Sequence, residues 1–258
     1  MRSPNTKNKK KKYKALILDV DGTLIPNKRD GMPSEKVKNA IAKASKLIHV
    51  GVATSRPYFI LSHIVEHLKL SGPSIIVGGA QIIDTTSKKI LFEQPLLKED
   101  IFKVADILKK SPVQFTVFDD GKDIIFSKHY KPKNPLQLWI HTLTPLQADS
   151  YIDGLSHIST VDVYRLPSWE KGKVDIGINH SSATKQHGIL EITKLLKIET
   201  HDIIGVGDGD NDFPLLMACG LRVAMGNAVD DLKAIADYIA PSVENDGVAD
   251  VIEKFVLS

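Results

Sequence analysis

A four-residue apolar run, Ala15-Leu16-Ile17-Leu18, stops at Asp19, and short apolar segments of this kind return along the chain with helical patterns between them. An apolar run without polar alternation is expected of a strand buried on both faces. From Ser34 to Leu47, Val37, Ala40, Ile41, Ala44 and Leu47 fall at helical spacing, with Pro33 before them and Ser34 placed as N-cap. Ile48, Val50 and Val52 alternate as a second strand that runs into Ala53-Thr54-Ser55-Arg56. Pro57 then opens a helix carrying Phe59, Ile60, Ile64 and Leu68, and Ile75-Ile76-Val77 makes a third short strand closed by Gly78-Gly79. Strand, helix, strand, helix, strand requires crossover connections and therefore a parallel sheet.

The middle of the chain has a different rhythm. A helix is expected near Lys98 to Lys109, strands at Val113 to Phe118 and Ile124 to Lys128, a proline-rich stretch from Lys131 to Pro135, a helix from Pro145 to Leu155, and strands at Val161 to Arg165 and Val174 to Ile178. Paired strands beside segregated helices describe a separate α+β unit. After Ala183 the alternation resumes: a helix to Leu196, strands at Ile203 to Val206, Arg222 to Met225 and Tyr238 to Ala240, and helices from Asn211, Val229 and Asp246. The expected architecture is an α/β, Rossmann-like, doubly wound parallel sheet core over residues 14-83 and 180-258, interrupted by an inserted α+β cap over 84-179. A disordered basic tail is expected over 1-13.

Composition narrows the function classes. With 42% hydrophobic and 25% charged residues in 258, the chain is globular in type rather than disordered, collagen-like or coiled-coil. The lone Cys219 can form neither an internal disulfide nor a thiolate metal site, so a reducing, cytoplasmic setting is expected. No apolar run approaches the roughly 20 residues of a membrane span, and Met1 to Lys14 lacks the apolar stretch of a signal peptide. The net charge of +3 hides an asymmetry: residues 1 to 14 hold seven cations and no acid, leaving 27 cations against 31 acids, or −4, in the rest. A basic tail on a mildly acidic body does not describe a nucleic-acid binder, whose basic residues should line a folded face.

The chemistry-bearing residues lie at expected strand ends. Asp19-Val20-Asp21-Gly22-Thr23 follows the first strand directly, and strand pleating alone sends Asp19 and Asp21 to one side, where an open α/β sheet has its ligand crevice. Two adjacent carboxylates repel by roughly 4 kcal/mol at 4 Å and an effective dielectric near 20, so a cation or a shared proton must hold them. Gly205-Val206-Gly207-Asp208-Gly209-Asp210-Asn211-Asp212 closes another strand with oxygen ligands of the kind a hard divalent cation prefers. An EF-hand is ruled out, because its sixth and twelfth positions would be Phe213 and Cys219. A dinucleotide fingerprint is only imperfectly mimicked, since acids at that helix start would repel a pyrophosphate. Thr54 can offer a hydroxyl and a backbone N–H to a phosphate oxygen, and Lys185, opening the first helix after the insertion, a point charge. His63-Ile64-Val65-Glu66-His67 matches a zinc-peptidase pattern, but no third ligand is evident and zinc chemistry is not expected. In the cap, Trp139, Trp169, Arg165, Lys171 and Lys173 are candidates to stack on or charge-match a sugar phosphate.

From Tyr13 onward the chain resembles haloacid dehalogenase (HAD) superfamily hydrolases of the Cof-like, type IIB-capped branch. Asp19-Val20-Asp21-Gly22-Thr23 matches motif I, Ala53-Thr54-Ser55-Arg56-Pro57 motif II, Lys185 motif III and Gly207-Asp208-Gly209-Asp210-Asn211-Asp212 motif IV. Glu244-Asn245-Asp246-Gly247-Val248-Ala249 is also typical of that branch. Two departures are Ser55, where glycine is usual, and Gly79, where asparagine commonly precedes Gly-Ala. The resemblance implies a Mg2+-dependent phosphatase acting on a small phosphorylated metabolite, such as a sugar phosphate, through an aspartyl-phosphate intermediate. Asp19 would be the nucleophile and Asp21 the general acid and base, with Thr54, Ser55, Lys185 and Asn211 on the phosphate. Mg2+ would be held by Asp19, the Asp21 carbonyl and Asp208, with Asp212 positioning this shell. A phosphomutase with the same site and a catalytically silent binding or regulatory protein are the rival readings. Neither a membrane nor nucleic acid is an expected partner, and a monomer or a homodimer fits equally.

Overall fold

The computed structural model describes residues 13–109 and 113–258. The expected tail lies outside the described residues except for Tyr13, which is buried against the hydrophobic core and belongs with the folded body. A parallel sheet of five strands has the order β13-β12-β11-β1-β2, comprising β1 (Ala15–Leu18), β2 (His49–Val52), β11 (Ile203–Gly207), β12 (Leu221–Ala224) and β13 (Tyr238–Ile239). All four β1 residues are fully buried. Leu16 and Leu18 join the cluster on one face, and Ala15 and Ile17 the cluster on the other, as the unbroken apolar run requires.

Helices cover both faces. α1 (Glu35–Ala44) starts where expected, its Ser34 N-cap hydroxyl accepting from the Val37 N–H at 3.1 Å. α2 (Tyr58–Leu68) follows Pro57, which sits at the N-cap rather than inside the first turn. α5 (Lys185–Leu196) is capped by Thr184, while α6 (Phe213–Met217), α7 (Asp230–Ile235) and α8 (Gly247–Phe255) close the core. The helix expected from Asn211 is instead a 3-10 turn over Asp210–Asp212 leading into the five-residue α6.

The third expected strand behaves differently. β3 (Pro73–Ile76) touches the parallel sheet through one bridge, Ala53 to Ile75, and pairs antiparallel with β4 (Gln81–Asp84), which pairs with β5 (Ile90–Glu93). β5 lies within the 84-179 stretch expected to be cap, yet its pairing is with β4. The second layer begins with α3 (Lys98–Leu108) and consists of an antiparallel sheet, order β7-β6-β8-β10-β9, backed by α3 and α4 (Pro145–Leu155). Its strands are β6 (Phe115–Asp119), β7 (Lys122–Ile125), β8 (Pro135–Leu143), β9 (Val161–Pro167) and β10 (Val174–His180). The nine-residue β8 sits at the centre of the sheet although the sequence reading left it unassigned; its single proline occupies the first strand position, where no ladder hydrogen bond is lost. Leu138, Ile140, Ile176 and Ile178 pack on the helices and form this layer's own core.

Candidate active site

Register places the site. Leu18 lies opposite Val52 on one side and Val206 on the other, so the residues that follow, Asp19, Ala53 and Gly207, form a row at the carboxyl edge of the sheet. Thr54 and Asp208 come next. The two acidic loops, 185 residues apart in sequence, meet here: Thr23 Oγ1 donates to Asp208 Oδ1 at 2.8 Å. Gly22 permits the approach. Its φ is +85°, and a Cβ there would stand 2.1 Å from Asp208 Oδ2.

Lys185, buried at the start of α5, donates to Asp19 Oδ1 at 2.6 Å and to Asp212 Oδ1 at 2.5 Å. The other Asp212 oxygen accepts from the N–H groups of Asp208 and Gly209 at 2.9 and 3.0 Å. Both Asp212 oxygens are thus occupied in shaping the loop. One carboxylate oxygen each of Asp19, Asp208 and Asp212 lie within 4.8 Å of one another, against a single lysine. Burial, then Asp212, pushes the Asp19 carboxyl up to about 7 despite the opposing pull of Lys185. Burial with Asp19 and Asp212 likewise raises Asp208 well above the ordinary carboxylate range. For Lys185 burial works against the charge, yet Asp19 and Asp212 outweigh it and hold the ammonium above the usual lysine value. A buried, all-oxygen cluster with surplus negative charge has the donor chemistry of a hard divalent cation.

Asp21 turns away from this cluster. Its carboxylate is gripped side-on by Arg56, Nε to Oδ2 at 2.8 Å and Nη2 to Oδ1 at 2.6 Å. Arg56 is buried and also donates to the carbonyls of Arg29 and Lys28 at 2.8 and 2.9 Å, so the guanidinium is fixed on three sides. Trp169, on the turn between β9 and β10, lies over the Arg56 guanidinium at 5.2 Å and points its Nε1 at Asp21 Oδ1, 3.4 Å away.

The cleft bounded by these groups, about 200 Å³ in volume and open to solvent, is lined by Asp19, Asp21, Thr54, Ser55, Asp208 and Asn211 from the core. The site residues expected from the four core motifs therefore converge, with Lys185 bonded to both Asp19 and Asp212. Trp139 and Trp169 line the cap side. Arg165 pairs with Asp149 instead, and Lys171 and Lys173 do not line the cleft. His63, Glu66 and His67 lie outside the metal-capable cluster found among the described residues.

Several contributors escaped sequence reasoning. Arg56 had a readable signal, since it follows Thr54-Ser55 at a strand end and arginine is the residue suited to bidentate carboxylate binding. Asn227, just beyond β12, donates to the Gly22 carbonyl at 2.8 Å and ties the motif I turn in place. Tyr164, Gln137 and Asn179 had no local signal. Gln137 Nε2 lies 2.6 Å from the Tyr164 hydroxyl, which donates to Asn179 Oδ1 at 2.5 Å, while Asn179 Nδ2 donates to the Val77 and Leu136 carbonyls at 3.0 and 2.9 Å. This buried network joins the two layers beside Ser55, whose hydroxyl is 3.5 Å from that of Tyr164. Gly79, the second departure from the family pattern, has a steric reason. Gly79 has φ +115°, and a Cβ there would lie 2.3 Å from the Thr184 carbonyl oxygen, so that position admits no side chain.

A family model for haloacid dehalogenase-like hydrolases matches residues 16–161 and 144–252. The chain belongs to this family. A 5-amino-6-(5-phospho-D-ribitylamino)uracil phosphatase of Bacillus subtilis is 27% identical over 249 residues, spanning 95% of this chain and 96% of the relative. A phosphoglycolate phosphatase of Methanopyrus kandleri is 25% identical over 248 residues, spanning 93% and 96%. Among solved structures, a HAD-like hydrolase from B. subtilis superposes with a TM-score of 0.82 at 20% identity, covering 93% of this chain and 99% of the other. A HAD subclass IIB sugar phosphatase gives 0.78 at 22% identity, covering 94% and 98%. The HAD fold with its inserted cap is thereby established, and the chain is an enzyme of the phosphoric monoester hydrolase type. Among the described residues no helix is long and apolar enough to cross a membrane.

Proposed function

We propose that the chain is a Mg2+-dependent phosphatase that hydrolyses a small phosphorylated metabolite through an aspartyl-phosphate on Asp19. The observation that carries this reading is the pairing of Asp19 with a buried Lys185 in an acid-rich, oxygen-only cluster, a hydrogen-bond length from which is Asp212 and across which lies Asp208. One Asp19 oxygen is held by Lys185, and the other accepts no hydrogen bond from the described residues. That oxygen is the one available to attack phosphorus.

Asp19 and Asp208, with the Asp21 carbonyl, would hold Mg2+, and Asp212 would position them, because both its oxygens are already bonded to Lys185 and the loop N–H groups. When bound, the ion supplies charge neutralisation for the phosphoryl oxygens and the carboxylates. Thr54, Ser55, Lys185 and Asn211 would take the phosphoryl oxygens. An Asp19 oxygen forms the new bond to phosphorus as the ester P–O bond breaks, and Asp21 gives its proton to the departing alkoxide. Asp21 then takes a proton from water, whose oxygen attacks the same phosphorus and releases inorganic phosphate and the Asp19 carboxylate. Arg56 fixes the direction of the Asp21 carboxylate for both transfers.

The relatives act on phosphate esters as unlike as a ribitylaminouracil and glycolate, so kinship supports the phosphoryl end of the reading and leaves the alcohol open. The test is release of inorganic phosphate from a panel of phosphomonoesters, with Mg2+ and with EDTA. Phosphate release that requires Mg2+ is expected. Conversion of a sugar phosphate to its isomer without phosphate release would replace hydrolysis by a mutase reaction, and full turnover in EDTA would remove the metal.

A further inference from the structure

The cleft over Asp19 runs outward to a wall made by the cap sheet, and strand pleating decides what that wall presents. Gln137, Trp139 and His141 alternate with the core residues Leu138 and Ile140, and Asp175 and Asn179 alternate with Ile176 and Ile178. Asp123 on β7 is opposite Phe118, which is opposite Gln137, so Asp123 shares this face.

Near Asp19 the wall is internally satisfied by the Tyr164–Gln137–Asn179 network. Farther out it is not. Trp139 and His141 stack, ring centroids 5.5 Å apart and planes at 9°, and both line the cleft. His141 Nδ1 is 3.1 Å from Asp175 Oδ2, and Asp175 Oδ1 accepts from the Thr142 N–H at 2.8 Å. His141 Nε2 makes no hydrogen bond with any described residue and is left for a ligand. The Asp123 carboxylate lines the cleft and makes no hydrogen bond or ion pair with any described residue, although His141 and Arg29 act on its charge. Arg29 lines the same cleft, lying over the Trp169 ring at 5.7 Å, while Arg56 is committed to Asp21.

We propose that the leaving group taken here is a hydrogen-bond donor without negative charge, a polyol or amine-bearing chain or ring lying against the Trp139–His141 stack, and that Asp123 is the specificity-determining residue that rejects leaving groups bearing a second anion. The inference rests on the phosphatase reading and adds the alcohol to it. Hydroxyl or amino groups donate to Asp123 and pair with His141 Nε2, whereas a carboxylate at the same place meets Asp123 as a like charge.

The test uses the full chain with Mg2+ and two open-chain esters that differ at one carbon, sorbitol 6-phosphate with a terminal hydroxymethyl and 6-phosphogluconate with a carboxylate. Wild type is expected to favour the polyol in kcat/KM by about tenfold, the scale of a like-charge contact at a solvent-accessible carboxylate. Asp123→Asn should bring the two within about threefold and Asp123→Lys should reverse the preference. Preference of the wild type for 6-phosphogluconate, or a ratio unmoved in both variants, overturns the assignment. Turnover of p-nitrophenyl phosphate with neither six-carbon ester accepted overturns the polyol assignment alone. No phosphate release from any of the three esters places the failure in the phosphatase reading and takes this inference with it.

Discussion

Replacing Asp19 by Asn should abolish turnover and, without metal, make the protein more stable. Asp19, Asp208 and Asp212 come within 4.8 Å of one another with one lysine between them, and at an effective dielectric near 20 each like-charged pair at that separation costs roughly 3 kcal/mol. Burial adds to this, and together they raise the Asp19 carboxyl from 3.8 to about 7. Such a group binds its proton more tightly folded than unfolded. Its contribution to stability is therefore complete below pH 3.8 and is lost as pH rises through about 7. The asparagine amide accepts from Lys185 as the carboxylate does and carries no charge. In EDTA, the advantage of Asp19→Asn over wild type should grow by up to about 3 kcal/mol between pH 4.5 and 7.5, some 6 to 12 °C in Tm for a chain of this size. Thermal unfolding followed by circular dichroism across that range measures it. Added Mg2+ should raise the Tm of wild type above that of the variant's own response, because the variant has surrendered a ligand. An Asn variant that is less stable at pH 7.5, or whose difference from wild type does not vary with pH, would refute the idea that Asp19 is held ionised against its surroundings.

Other substitutions separate positioning from chemistry. Arg56→Lys loses the two-pronged grip on Asp21, and turnover of alkyl phosphates should fall about 100-fold while that of p-nitrophenyl phosphate, whose leaving group needs little protonation, falls less; equal losses on both would mean Arg56 serves only the fold. Asp21→Asn should trap phosphate on Asp19, seen with p-nitrophenyl phosphate as a burst of about one product per enzyme followed by a slow steady state, and an unchanged steady-state rate would contradict the acid-base assignment. Tyr164→Phe leaves Asn179 Oδ1 and Gln137 Nε2 without their shared hydroxyl inside a buried network and should cost about 1 to 3 kcal/mol in denaturant unfolding. A cost near zero would mean that this hydroxyl does not tie the layers together.

The core of the site was legible because its chemistry is local. Asp19 and Asp21 stand two residues apart, Asp208 and Asp212 four, and each pair follows an apolar run whose strand character is readable without neighbours. Once β1, β2 and β11 are known to be parallel and in register, the row Asp19, Thr54, Asp208 follows from strand ends alone. Where a strand's partners are not sequence neighbours in that pattern, the reading strayed. β3 has the same apolar look as β1, yet its main ladder is antiparallel to β4, because the sharp turn over Val77–Gly79 reverses the chain before a crossover helix can form. The central β8 was hidden behind the prolines that precede it, and with it went the alternation that turns Gln137, Trp139 and His141 to one face.

What governs Asp21 was illegible for a related reason. The carboxylate is read locally as one half of a pair with Asp19, but its actual partners are Arg56, 35 residues away, and Trp169, 148 residues away on the other layer. Pleating sends both aspartates toward the same crevice, and only the position of the Arg56 guanidinium, pinned by the Arg29 and Lys28 carbonyls, decides that Asp21 leaves the metal cluster. On the proposed mechanism, that separation would let two aspartates of one tripeptide perform different chemistry. Asp19 lies among acids and a lysine, where a cation and a nucleophilic oxygen would belong, and Asp21 lies against a fixed arginine under a cap indole, from which it would hand a proton to the departing alcohol. The indole comes from the same layer that carries Asp123 and the Trp139–His141 stack, so under the proposed mechanism the position of the cap would set both which alcohol is received and how closely the Asp21 carboxylate is shielded from water.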